Sequence, residues 1–161
     1  MKKTLSIFSV ILAMVLLVGI LPAPVSAADV EGRSTHNGTI EKYPIYSNFQ
    51  DPISKRAKEN NSQVYIWLKD IGYQVSGVMV QAVGMNSGTS YTNCTMWEGS
   101  PVTEVVVYEG TEYGIDNTIH KKHDYASLRL RCHAYINQDI INVGVWSADS
   151  SKTYPEAPFS N

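Results

Sequence analysis

The stretch that decides the fold reads Gln63-Val64-Tyr65-Ile66-Trp67-Leu68-Lys69. Side chains alternate along an extended chain, so Val64, Ile66 and Leu68 share one face. Tyr65 and Trp67 share the other face. β-branched and aromatic residues favour strands, and a strand that is apolar on both faces is usually covered on both sides. The stretch therefore predicts a central β-strand.

Downstream of this strand, short runs rich in Val, Ile, Tyr and Thr alternate with clusters of Gly, Asn, Asp and Ser. This pattern is typical of strands separated by turns, and no long amphipathic helix interrupts it. We therefore predict an all-β domain over residues 63–150, an antiparallel β-sandwich of about seven strands. The predicted strands are residues 63–69, 74–84, 90–97, 102–109, 111–119, 125–135 and 140–146.

Outside the predicted sandwich the sequence is less regular. Residues 28–62 are polar and carry one short helical signal at 52–59, because Asp51 suits the N-cap and Pro52 the first helical position. Beyond the sandwich, prolines mark residues 151–161 as an extended C-terminal tail. We expect an irregular N-terminal segment with a helix turn, then the sandwich, then the tail.

Residues 1–27 have the pattern of a cleavable secretory signal peptide. Lys2 and Lys3 precede an apolar run that extends from Ile7 to Leu21, and Val25-Ser26-Ala27 supplies the small residues that signal peptidase requires. The run is shorter than the roughly 20 apolar residues that span a bilayer, and prolines end it. We predict cleavage after Ala27, release as a secreted, extracellular protein, and no stable membrane insertion after cleavage.

The predicted mature part, 134 residues long, is mildly acidic. Removal of Lys2 and Lys3 with the leader leaves eleven basic and fifteen acidic side chains, a formal charge of −4. This charge gives no electrostatic reason to expect a nucleic-acid partner. The same part contains all ten tyrosines and all three tryptophans, so it is rich in aromatic residues.

Cys94 and Cys132 are the two cysteines of the chain. In an oxidising compartment such a pair is more often a disulfide than a reactive site. Cys132 shares a strand face with Leu128 and Leu130, and Cys94 shares one with Met96. We therefore expect both to face the core and to form a disulfide. Two buried thiols are the alternative.

The segment His120-Lys121-Lys122-His123-Asp124 is the nearest approach to a metal-binding cluster. Its histidines would need a further ligand to form a zinc site, such as Asp116 or His133. The segment is predicted to be a hairpin turn, and its two lysines would repel a cation. We interpret it as a solvated turn, and we predict no metal and no cofactor.

Candidate binding residues lie on two strands. Arg129 and Arg131 alternate with His133 on one face, where a row of cations can hold a carboxylate or phosphate. The pattern favours the alternative, which is cross-strand pairing. The acidic candidates for such pairing are Glu104, Glu109 and Glu112.

Tyr65 and Trp67 are the other candidate binding residues. If exposed, their rings would suit the apolar face of a sugar. The pattern favours burial instead, with residues 40–50 as cover.

No motif points to a catalytic centre. There is no Gly-x-Ser-x-Gly motif, and Cys132 and His133 are strand neighbours that point to opposite faces. The paired carboxylates of a glycoside hydrolase meet only in space, so the sequence singles out no pair. We predict no catalytic residues.

Two stretches carry a resemblance to a known group. They are Ala126-Ser127-Leu128-Arg129-Leu130-Arg131 and Val143-Gly144-Val145-Trp146-Ser147-Ala148-Asp149-Ser150. They resemble a family of small exported β-rich proteins of Gram-positive bacteria, a domain of unknown function. Its members have a strand of the form Ala-x-Leu-Arg and a closing strand of the form Val-x-Gly-x-Trp-Ser-x-Asp-Ser. The resemblance implies a signal-bearing β-rich domain and no activity.

The closing strand also has a physical interpretation. Val143 and Val145 share one face, whereas Gly144 and Trp146 share the other. Glycine lets a neighbouring group approach closely, so we expect Trp146 to cap the edge of the sandwich. Asp149 is expected to end the strand by bonding locally to the backbone.

These observations predict a secreted, non-catalytic β-sandwich protein. Its expected partner is cell-wall polysaccharide, another cell-envelope glycan or another exported protein. A secreted bacteriocin-like antibacterial effector is a second hypothesis, based on small size, release and aromatic content. A small extracellular hydrolase is a third.

Overall fold

The computed structural model describes residues 38–72, 75, 77–132 and 138–160. The predicted signal peptide and His133 lie outside these residues. The strands in the described part are β1 (Gly38–Ile45), β2 (Arg56–Ala57), β3 (Val64–Ile71), β4 (Val78–Met85), β5 (Tyr91–Asn93), β6 (Met96–Trp97), β7 (Ser100–Pro101), β8 (Val105–Val107), β9 (Glu112–Ile115), β10 (Tyr125–Arg131) and β11 (Gln138–Ser147). A 3₁₀ turn covers Ile119–Lys121.

Antiparallel pairing arranges most of these strands into two sheets. The first sheet has the order β1-β11-β3-β9. The second has the order β2-β10-β4-β5, and β8 pairs with the other half of β4. Strands β6 and β7 form a separate hairpin. The predicted all-β fold is therefore confirmed, and β3 lies in the interior of its sheet as predicted.

One apolar core joins the two sheets. Val64, Ile66 and Leu68 of β3 belong to it, whereas Tyr65 and Trp67 do not. The predicted alternation along β3 is therefore confirmed. The second sheet contributes the inward side chains of β4 and β10, which are Val78, Val80, Ala82, Ala126, Leu128 and Leu130.

The N-terminal segment differs from the prediction. It contains the strand β1, and the expected helix turn at 52–59 is replaced by an extended segment along the edge of β10. Arg56 and Ala57 pair with β10 as β2, and the Ile53 amide donates to the Leu128 carbonyl at 3.0 Å. A two-turn helix has few hydrogen bonds to offset its nucleation cost. The exposed edge of β10 instead offers partners to the backbone of this segment.

The predicted C-terminal tail is extended and bridges the two sheets. Glu156 forms a parallel bridge with Gly114 of β9, and Phe159 forms an antiparallel bridge with Val105 of β8. Because β9 is an edge of the first sheet and β8 belongs to the second, the tail links the two layers along one side. Ala157 is fully buried within the core cluster.

Trp146 lies deeper than the sequence indicated. Its side chain is fully buried in the core rather than at the sandwich edge. Gly38 of β1 pairs with Trp146 across the sheet and lies against the indole, where a β-carbon would collide with the ring. Val143 is exposed, whereas Gly144 and Trp146 on the other face are buried, and the pairing with β3 shifts register on either side of Val143.

The expected disulfide between Cys94 and Cys132 is wrong. Both are buried thiols, and no disulfide joins them. Cys94 follows β5 and its amide bonds to Ala82, whereas Cys132 follows β10 beyond the Arg131–Met79 pair. The two strands flank β4 on opposite sides, so two strand spacings of about 4.8 Å separate the cysteines. An offset of about four residues along β4 adds roughly 13 Å, far beyond disulfide reach.

This placement predicts the redox behaviour of the protein. The free energy of unfolding should be the same with and without reducing agent. Alkylation after unfolding under non-reducing conditions should modify both cysteines, as measured by mass spectrometry. Protein that resists alkylation until it is reduced would contradict the structure.

Candidate functional site

A buried ion pair lies beneath the candidate site. Lys58 Nζ is 2.6 Å from Asp149 Oδ1, and the two side chains are 0% and 2% exposed. Lys58 follows β2, and Asp149 comes two residues after the end of β11. The pair therefore connects the edge of the second sheet to an interior strand of the first.

The Asp149 carboxylate gathers donors from one short segment of chain. Oδ2 accepts from the Glu59 amide at 2.9 Å, and Oδ1 accepts from the Asn60 amide and from Ser62 Oγ, each at 3.3 Å. The amide of the next residue, Ser150, donates to Ser62 Oγ at 3.0 Å. The sequence predicts a local role for Asp149 at the strand end, but its partners lie about ninety residues away.

Lys58 is held as firmly as its partner. Its Nζ also donates to the Ser62 carbonyl at 2.7 Å, and its backbone amide donates to the Asp124 carbonyl at 2.9 Å. Burial lowers the pKa of the Lys58 ammonium from its usual 10.5, and the hydrogen bond and charge of Asp149 oppose this shift. Because both side chains are buried, water does not hydrate the two charges, and their mutual contact and hydrogen bonds replace it.

Above this pair lies a polar cleft with a volume of about 680 Å³. Because β3 runs antiparallel to β9 and β11, the start of β3 meets the ends of both neighbours at one end of the sheet. The cleft opens there. Its lining residues are Asn61, Ser62, Gln63, Asp116, Ser150, Ser151, Lys152, Thr153, Tyr154 and Glu156.

A second hollow of about 340 Å³ adjoins the first. Asn61, Gln63 and Asp116 line both, so these side chains form the wall between the two. The β6–β7 hairpin and the loop after β9 bound the second hollow. The hairpin is tied to the tail, because the Glu98 amide donates to Glu156 Oε1 at 3.0 Å.

Gln63 lines both hollows, and both ends of its side-chain amide form hydrogen bonds. Its Nε2 donates to Asp116 Oδ1 at 3.0 Å, and its Oε1 accepts from the Tyr154 amide at 2.9 Å. The Gln63 side chain lies directly over Gly114, where a β-carbon would overlap it. Glycine at 114 therefore allows Gln63 to connect β9 to the tail.

Tyr65 and Trp67 lie on the outer face of the first sheet, and they differ in exposure. Tyr65 is only 6% exposed, its hydroxyl donates to Glu112 at 2.8 Å, and its ring lies 4.6 Å from that of Tyr154. Trp67 is half-buried, with Lys69 Nζ 4.5 Å from its ring centre. The tail covers Tyr65 through Tyr154. Residues 40–50, the cover expected from the sequence, lie elsewhere: residues 40–45 belong to β1 within the same sheet, and Phe49 and Gln50 bond to Arg129 of the second sheet.

Arg129 and Arg131 lie on the outer face of the second sheet and are paired within the protein. Arg131 forms a bidentate ion pair with Glu104, which is the cross-strand pairing that the sequence favoured. Arg129 donates to the carbonyls of Phe49 and Gln50, and its guanidinium lies 4.5 Å from the ring centre of Tyr91. The arginines and Trp67 occupy opposite outer faces, so they do not form one site.

The histidine segment forms the 3₁₀ turn and the residues after it. His120 is exposed, with Nδ1 3.1 Å from the Lys58 carbonyl, whereas the His123 ring packs over Gly84. Among the described residues, no group of three or more His, Cys, Asp or Glu side chains is arranged to hold a metal ion. In that same part of the chain, none of the helices has the length and apolar character to cross a membrane.

The fold and the cleft define a small two-sheet β-sandwich protein with a polar hollow at one end. Over residues 31–150 the chain matches the model of a family described as proteins of unknown function, DUF2712, and it belongs to that family. No curated protein and no solved structure matches it.

Gly114 gives a direct test of how the cleft is built. Gly114→Ala should displace Gln63, break its bonds to Asp116 and Tyr154, and lower the free energy of unfolding by about 1–3 kcal/mol. Chemical denaturation measures this change. Gly88→Ala is the matched control, because a β-carbon there would meet only the Ser90 amide nitrogen at 4.0 Å. Its effect should stay below about 0.5 kcal/mol, and equal losses in the two variants would contradict this account.

Proposed function

We propose that the protein is exported and binds a cell-envelope glycan in the polar cleft, without catalysing a reaction. The observation that supports this most is the lining of the cleft. Its hydroxyl, amide and carboxylate groups converge on one hollow, and a few converging polar groups in a concave site are the usual basis of ligand recognition.

The chemistry of the lining suits a sugar. Glycan hydroxyls both donate and accept hydrogen bonds, so they need acceptors and donors on the protein. Asp116 and Glu156 supply acceptors, Asn61 supplies both, and Lys152 supplies donors. Gln63 bonds to Asp116 and to the tail, and so holds part of this array in place before a ligand binds, which lowers the entropic cost of binding.

The two carboxylates of the cleft are engaged in holding the structure. Asp116 accepts from Gln63, and Glu156 accepts from the backbone of Glu98. These bonds favour a role for both carboxylates in positioning and binding. A small hydrolase that uses them as acid and base is the competing hypothesis, and the binding experiment includes an arm for it.

The proposed export is supported by residues 1–27, whose charged start, apolar run and small-residue site fit a leader. An exported protein of this size encounters wall polymers as abundant polar ligands.

The binding proposal is tested with purified protein and insoluble peptidoglycan or wall polysaccharide. We expect retention that Asp116→Ala weakens by roughly 10- to 150-fold, because a hydrogen bond to a charged group contributes roughly 1.5–3 kcal/mol. The matched control is Glu41→Ala, an exposed carboxylate on β1 at the far edge of the first sheet. It should bind like the unmodified protein.

Two further arms separate the alternatives. Loss of retention in Trp67→Ala with normal retention in Asp116→Ala would place the ligand on the outer face of the first sheet and disprove the cleft proposal. Release of soluble reducing sugar from the polymer would show hydrolysis instead of binding. Zones of killing on bacterial lawns would favour the antibacterial effector.

Export is tested separately. Expression of the full chain in a Gram-positive host should yield extracellular protein whose N-terminal residue is Ala28, as determined by mass spectrometry of its N-terminal peptide. Full-length protein retained inside the cell would contradict the proposal.

A further inference from the structure

The Lys58–Asp149 contact holds together an amine and a carboxyl group, the two components of an amide bond. Lys58 Nζ is 2.6 Å from Asp149 Oδ1, the oxygen bonded to the carboxyl carbon Cγ. Both side chains are buried. Two groups held in this way have already lost the translational freedom that a bimolecular reaction would cost.

We propose that Lys58 and Asp149 condense in the folded protein to form an intramolecular isopeptide bond. The link would close a loop across residues 58–149, between the end of β2 and the segment after β11. The reaction needs no ligand in the cleft, although Ser62, which bonds to Asp149, also lines it.

The buried position supplies the nucleophile. A lysine amine attacks only when it is neutral, and removal from water favours the neutral form. Proton transfer from Nζ to Oδ1 along their short hydrogen bond produces the two uncharged reactants, an amine and a carboxylic acid. Burial also lowers the pKa of Lys58, in the direction that this transfer requires.

The donors around Asp149 activate the carboxyl group. The amides of Glu59 and Asn60 and the hydroxyl of Ser62 point at its two oxygens. When the amine attacks the carbon, negative charge develops on Oδ2, because Oδ1 carries the transferred proton. The Glu59 amide is a fixed backbone donor 2.9 Å from Oδ2, so it stabilises the tetrahedral intermediate as a donor of an oxyanion hole does.

The step balances as a condensation. Nζ bonds to Cγ of Asp149, and the bond from Cγ to Oδ1 breaks. Oδ1 leaves as water with the proton it received first and a second proton from Nζ, for which the adjacent Ser62 hydroxyl can serve as relay. No oxidant, reductant or further reactant takes part.

The surrounding bonds already fit the product. The amide nitrogen would keep one hydrogen, and Nζ donates to the Ser62 carbonyl at 2.7 Å. The remaining oxygen, Oδ2, would accept from the Glu59 amide as it does now at 2.9 Å. A buried charged pair would become a buried neutral amide with its hydrogen bonds satisfied, which removes the cost of burying two charges.

Mass spectrometry of the purified folded protein tests the proposal. The intact mass should be lower than the sequence mass by one water molecule. Trypsin should not cleave after Lys58, and the digest should contain one branched peptide that joins the Lys58 and Asp149 segments. Protein that keeps its full mass after prolonged incubation in the folded state would overturn the proposal, and this result needs no variant to fold.

Substitutions at Asp149 identify the reacting groups. Asp149→Ala lacks the carbonyl carbon and should keep its full mass. Asp149→Asn should release ammonia instead of water, so its linked product should have the same mass as linked wild-type protein. A mass loss that persists in Asp149→Ala would assign the reaction to other residues and overturn the proposal.

Discussion

The contact between Lys58 and Asp149 is the constraint on which the rest of this structure depends. It fixes the chain between β2 and β3 to the chain after β11, two segments that border both layers of the sandwich. Removal of one partner from a buried pair typically costs about 3–5 kcal/mol, because the other charge stays buried and uncompensated. The segment that bonds to Asp149 also lines the cleft, so the same carboxylate that stabilises the fold positions the candidate site.

Irregular segments pair with strand edges that the two sheets would otherwise leave exposed. The extended chain before β3 bonds along the edge of β10, and the tail bonds to β9 and to β8. Both segments look like linkers in sequence because they are polar or rich in proline. They are ordered because each satisfies backbone groups that a sheet edge would leave unpaired. Tyr65 is buried for the same reason, since the tail brings Tyr154 against it.

Local patterns predicted the strands well and their partners poorly. Alternation along β3, β4 and β10 depends only on which face of the sheet packs against the core, and each strand carries that information itself. Pairing between distant segments depends on register and loop geometry, which no single strand encodes. The cysteines show the difference. Both were correctly assigned to buried faces, yet two strand spacings and an offset along β4 separate them.

The candidate site could not be predicted from the sequence for the same reason. Asp149 stood out in the closing motif, but nothing in the sequence paired it with Lys58, which lies among polar residues. Gln63 and Asp116 meet only because β3 and β9 are neighbours, and Tyr154 joins them only because the tail folds back. Gly114 was the available signal, since a glycine inside a strand often marks a close approach. A site assembled from the ends of three strands needs the topology before its chemistry can be recognised.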